Sequence, residues 1–125
     1  MKALIVDSSL QIVQRLEEML LTTKATSAVF ISDNYENGLQ LFNENKPDIV
    51  LIGISLPEDR SIKLLVEIKT MVYKIPVIIL SASMHSYIHH QCRLLGADYI
   101  LDKYYEFEKI PAVINGIAGI AGKYR

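Results

Sequence analysis

Short apolar runs and helical patterns alternate five times along this chain, and nothing else in it limits the fold so strongly. Ala3–Val6 is the first run. Leu10, Ile12, Val13, Leu16, Met19 and Leu20 then recur at helical spacing, with Ser8 or Ser9 placed to cap the start. Ala28–Ile31 precedes a helix pattern carrying Leu39, Leu41 and Phe42, which Asp33 or Asn34 can cap and which ends before Asn45-Lys46-Pro47. Ile49–Ile52 leads to Ile62, Leu64, Leu65, Ile68 and Val72. Val77–Leu80, introduced by Pro76, leads to a helix that stops at Gly96. Tyr99–Leu101 leads to a last helix with Ile110, Val113, Ile114, Ile117 and Ala121.

Strand–helix alternation with short connections implies an α/β protein: a parallel five-stranded sheet with helices on both faces, a three-layer (βα)5 sandwich. Right-handed crossovers leave few topologies. No linker, repeat or low-complexity segment interrupts the pattern, so residues 1–125 are expected to form a single domain. Half the residues are hydrophobic, enough for a core without disulfides or metal. The net charge is -1 and no Lys/Arg block exists, which removes bulk attraction to nucleic acid or an anionic membrane. Asp7 cuts the N-terminal apolar run far short of a secretory signal, and no run approaches the ~18 residues of a membrane span. With Cys92 as the lone cysteine, a cytoplasmic setting is expected.

In a parallel sheet all strands end on one edge, where open α/β sheets keep their chemistry. That edge collects Asp7, Ser8, Gly53, Ser81 and Lys103. The segments 4-LIVDSS-9, 47-PDIVLIGISLP-57, 77-VIILSAS-83 and 96-GADYILDKYY-105 occur in an order that resembles bacterial response-regulator (CheY-like) receiver domains over nearly the whole chain. The resemblance implies a flavodoxin-like fold with strand order 2-1-3-4-5. It also implies a site in which a partner kinase phosphorylates an aspartate at the end of the third strand. There, Mg²⁺ is held by that aspartate and an acidic pair, and a hydroxyl and a lysine grip the phosphoryl group.

The chain departs from that pattern at the points that matter. Gly53 stands where the phosphoacceptor aspartate is expected, and nucleophilic transfer needs a group within reach of its target. Ser8 replaces the second acid, leaving Asp7 as a weak Mg²⁺ candidate, so no bound metal or other cofactor is expected. Lys103 has two readings: a structural pair with Asp7 at a partly exposed site, contributing roughly 0–1 kcal/mol, or a residual anion site shared with Ser81. The family's aromatic switch position aligns with Ile100. Tyr99, one residue away, falls on the opposite face.

Other residues offer different chemistry. His85, His89 and Cys92 share one helical face and offer Zn²⁺ three ligands, without an evident fourth. Glu58 or Asp59, in the loop after the third strand, offers a displaced phosphoacceptor with Mg²⁺. Tyr104 is placed to fill the space left by the missing phosphate machinery. The glycines of 115-NGIAGIAGK-123 weaken the last helix, which reads as a frayed tail, a linker start or a close packing surface. The reading that follows is a non-enzymatic pseudo-receiver, a phosphorylation-independent interaction module. It binds a histidine kinase, an output protein or a second copy through residues 84–121. The alternatives are a phosphoacceptor using a displaced acid and a sensor of a small anion or nucleotide.

Overall fold

The computed structural model describes residues 1–56, 60–72, 74–82 and 86–123, with the backbone alone for 120–123. Five parallel strands, β1 (Lys2–Val6), β2 (Ala28–Ser32), β3 (Ile49–Gly53), β4 (Val77–Ser81) and β5 (Tyr99–Asp102), pair in the order β2-β1-β3-β4-β5. The helices are α1 (Leu10–Thr22), α2 (Tyr35–Asn45), α3 (Arg60–Met71), α4 (Ser86–Leu94) and α5 (Ile110–Lys123), the last entered through a 3₁₀ turn at Phe107–Lys109. This is the flavodoxin-like α/β fold that the alternation and the resemblance called for.

Strand side chains alternate between two cores. Ala3, Ile5, Leu51, Ile78 and Leu80 pack with Leu16, Leu20, Ile110 and Ile114 under α1 and α5. Leu4, Val6, Val50, Ile52, Val77 and Ile79 pack with Phe42, Leu64, Leu65, Ile68 and Cys92 under α2, α3 and α4. β3 and β4 are buried along their whole length, which explains their unbroken apolar sequence.

The helix ends follow local chemistry. Ser9 caps α1 by accepting the Ile12 N–H, and Asn34 caps α2 by accepting the Asn37 N–H. After α4, Gly96 takes φ +105°. Its N–H reaches Arg93 O, and the Ala97 N–H reaches Cys92 O, closing the helix in a Schellman turn. α5 is helical to Lys123, and its first turns are held by Ile110, Ile114 and Ile117, which are buried against the sheet.

Candidate functional site

The rim at the C-terminal ends of the strands is built by register. Val6 lies beside Ile52, so the next residues, Asp7 and Gly53, are lateral neighbours. Leu80 pairs with both Gly53 and Leu101, and Ser81 pairs with Asp102, which brings β4 and β5 to the same edge. The Lys103 N–H donates to Ser81 O at 3.0 Å and carries the chain past this edge.

Asp7 is the centre of the rim, and it is buried. Its Oδ2 accepts from Lys103 Nζ at 3.0 Å. Its Oδ1 accepts the Ser9 N–H at 2.8 Å and the Ser55 hydroxyl at 3.0 Å. The pair expected at a partly exposed position is thus enclosed, with side-chain exposures of 3% for Lys103 and 0% for Asp7. The reason is local: Gly53 leaves a void, and the Asp7 carboxylate occupies it. A methyl group on Gly53 would overlap Asp7 Oδ2 and lie 3.2 Å from Asp7 Cβ.

Serines stitch the surrounding loops. The Ser8 hydroxyl lies 3.0 Å from Ser55 Oγ and 3.2 Å from Ser55 O, and the Ser8 N–H reaches the same Oγ at 3.4 Å. Buried Ser61, in the first turn of α3, donates to Gly53 O at 2.5 Å and accepts the Leu56 N–H at 3.3 Å. The sequence places Ser55 at the end of β3 beside Gly53 without giving it a role, and it does not single out Ser61. For Ser61 the one available signal was its nearness in sequence to the end of β3.

Beside Asp7 runs a crevice of about 230 Å³ lined by Ser8, Leu10, Val13, Ile31 and Asp33. Tyr104 does not fill this region: it is 61% exposed. Asp102 Oδ1 accepts the N–H groups of Tyr104 and Tyr105 at 2.8 and 2.7 Å, which turns both residues outward. Asp102 is committed to that turn, while Lys103 pairs with Asp7.

The remaining candidates separate. Ile100 is half-buried against the core under α4, and Tyr99, on the alternate face, is partly exposed. Cys92 is buried in that core, and burial pushes its thiol pKa up, away from the thiolate that Zn²⁺ requires. His89 Nε2 is buried and has no hydrogen-bond partner among the described residues. His85, Glu58 and Asp59 lie outside the described residues. Among the described residues no three His, Cys, Asp or Glu side chains cluster to hold a metal, and no helix is long and apolar enough to cross a membrane.

A family model for the response regulator receiver domain matches residues 3–115. The probable C4-dicarboxylate response regulator DctR of Bacillus subtilis is 27% identical over 82 residues, covering 66% of this chain and 36% of DctR. The sensory transduction protein LytT of Bacillus anthracis is 28% identical over 106 residues, covering 85% of this chain and 43% of LytT. The chain therefore spans less than half the length of either relative. A response regulator receiver domain protein from Clostridium thermocellum superimposes with a TM-score of 0.86 at 23% identity, covering 99% of this chain and 98% of that one. The receiver domain of Francisella response regulator 1452 gives 0.84 at 22%, covering 96% and 98%. At such identities the structural likeness speaks for the fold.

Proposed function

Since this chain belongs to the response regulator receiver domain family of two-component signalling, we propose that it is a receiver that works without phosphorylation, as a protein-interaction module. One observation carries the reading. The place of an acceptor side chain at position 53 is taken by the Asp7 carboxylate, and Lys103 is already paired with it. A phosphoryl group has no nucleophile at Gly53. Mg²⁺ wants several oxygen ligands, and the oxygens of Asp7 are spent on Lys103, Ser9 and Ser55. The donor set on this rim does not suit that ion. The same pairing argues against an anion or nucleotide sensor at the rim, since Lys103 has a carboxylate for a partner.

The interaction surface we assign is the side built from α4, β5 and α5. Tyr87 and Leu94 of α4 stand 76% and 74% exposed, and Tyr105, in the turn after β5, 89%. Exposed aromatic and aliphatic side chains on a fold otherwise able to bury them suit a protein partner: a histidine kinase, an output protein or a second copy.

Incubation with acetyl phosphate and Mg²⁺, read by intact mass, tests the proposal. No phosphoryl adduct is expected, and the melting temperature should not move with millimolar Mg²⁺. An adduct mapped to Glu58 or Asp59 would overturn it in favour of a displaced acceptor.

A further inference from the structure

Asp7 and residue 53 compete for one volume. They are lateral neighbours in adjacent parallel strands, about 4.8 Å apart. In this chain only one of them has a side chain. The overlap between Asp7 Oδ2 and any Cβ on Gly53 shows that the present position of Asp7 requires glycine. Lys103 meanwhile sits in a site dry enough that its charge needs an anion beside it.

We infer that Asp7 is a surrogate carboxylate: it occupies the missing position-53 side chain's place beside Lys103, and the pair forms a permanent internal lock on the rim. The lock spans the sheet. Asp7 leaves β1 and Lys103 leaves β5, two strands that are separated by β3 and β4. The Asp7 carboxylate also holds the start of α1 through the Ser9 N–H and the β3–α3 loop through Ser55. One carboxylate thus gathers three loops into a single arrangement with neither cation nor phosphoryl group. The same geometry means that restoring aspartate at position 53 by itself rebuilds no acceptor, because its space is filled.

The inference takes its signalling meaning from the proposed function, but its geometry is tested independently, by thermal unfolding of four variants. Alanine is ordinarily favoured over glycine inside a strand, so the sign of Gly53→Ala is diagnostic. In the wild-type background it should lower Tm by roughly 5–10 °C, since the methyl group must displace Asp7. In an Asp7→Ala background the same substitution should raise Tm. The exchange Asp7→Ala with Gly53→Asp, which returns one carboxylate to Lys103, should melt above Asp7→Ala alone.

A Gly53→Ala protein as stable as wild type, or more so, overturns the inference. So does an exchange variant no more stable than Asp7→Ala. Should Asp7→Ala fail to fold, Gly53→Ala alone still decides by its sign. A phosphoryl adduct on wild type, together with a rescuing exchange, would sink the phosphorylation-independent reading and leave the surrogate carboxylate standing.

Discussion

Lys69 Nζ and Asp98 Oδ2 meet at 2.7 Å, joining the last turn of α3 to the residue just before β5. The same carboxylate oxygen accepts the Val77 N–H at 2.8 Å, and the same ammonium donates to Ile75 O at 2.7 Å. Lys69 also runs past Gly96, whose absent Cβ would come within 3.2 Å of Lys69 Cγ. One ion pair therefore sets the entry of both β4 and β5 and the turn that follows α4.

This pair should matter more than an ordinary surface bridge. Asp98→Ala removes the charge partner and leaves the Val77 N–H without its acceptor, so a loss of about 1–3 kcal/mol is expected rather than under 1. Asp98→Asn keeps an acceptor for Val77 and should recover part of that loss. Urea unfolding of the two variants measures both.

The Asp7–Lys103 pair carries a larger expectation. Asp7→Asn leaves a buried ammonium unpaired and Lys103→Met leaves a buried carboxylate, each costing about 3–5 kcal/mol. Against a total stability on the order of 5–15 kcal/mol, either change is severe. Removing both charges together should cost much less than the sum of the single losses. Denaturant midpoints for the two singles and the double, assembled as a cycle, check this.

Alkaline pH reports on a separate cluster. Tyr35 is buried where α2 meets α3, with Lys63 4.8 Å and Arg60 5.3 Å from its ring centroid. Burial, reinforced by Glu67 at its hydroxyl, pushes the phenol up from 10.0 to about 12, against a smaller opposing pull from Arg60. The fold thus favours the neutral phenol. Its contribution to stability is fully present below pH 10 and is lost as pH rises through 12. In a spectrophotometric titration of the seven tyrosines, one late component is expected, and Tyr35→Phe should remove it.

Binding and folding should separate on the α4–β5–α5 side. Leu94→Ala and Tyr105→Ala touch exposed side chains and should shift stability by no more than about 0.5 kcal/mol. Recovery of the protein partner in a pulldown should fall with each. Unchanged recovery from the double variant would place the interface elsewhere.

The strand order and the five rim positions were legible because register and motif order are one-dimensional facts. What was not legible was which side chain fills a void. Removing the residue-53 side chain from the sequence does not say whether Asp7, Tyr104 or solvent takes the space. Asp7 takes it because it is the lateral neighbour, whereas Tyr104 is turned outward by Asp102. The burial of the ion pair was hidden for a related reason: it depends on which side chain enters the space beside Gly53, a contact between neighbouring strands that residue order alone does not show. The glycines of α5 point to a weak end, and they do not reveal how firmly the buried Ile114 and Ile117 hold the helix before it.

That last helix still bears the mark of its composition. At Gly116 and Gly119 an added methyl group would meet nothing within 4 Å, so the fold has no steric reason for glycine at either turn. The extra freedom they give the unstructured chain goes uncompensated on the outer side, while Phe107 and Ile110 clamp the beginning of the helix from within. Warming should accordingly peel α5 away from its far end inward, with the clamp releasing last.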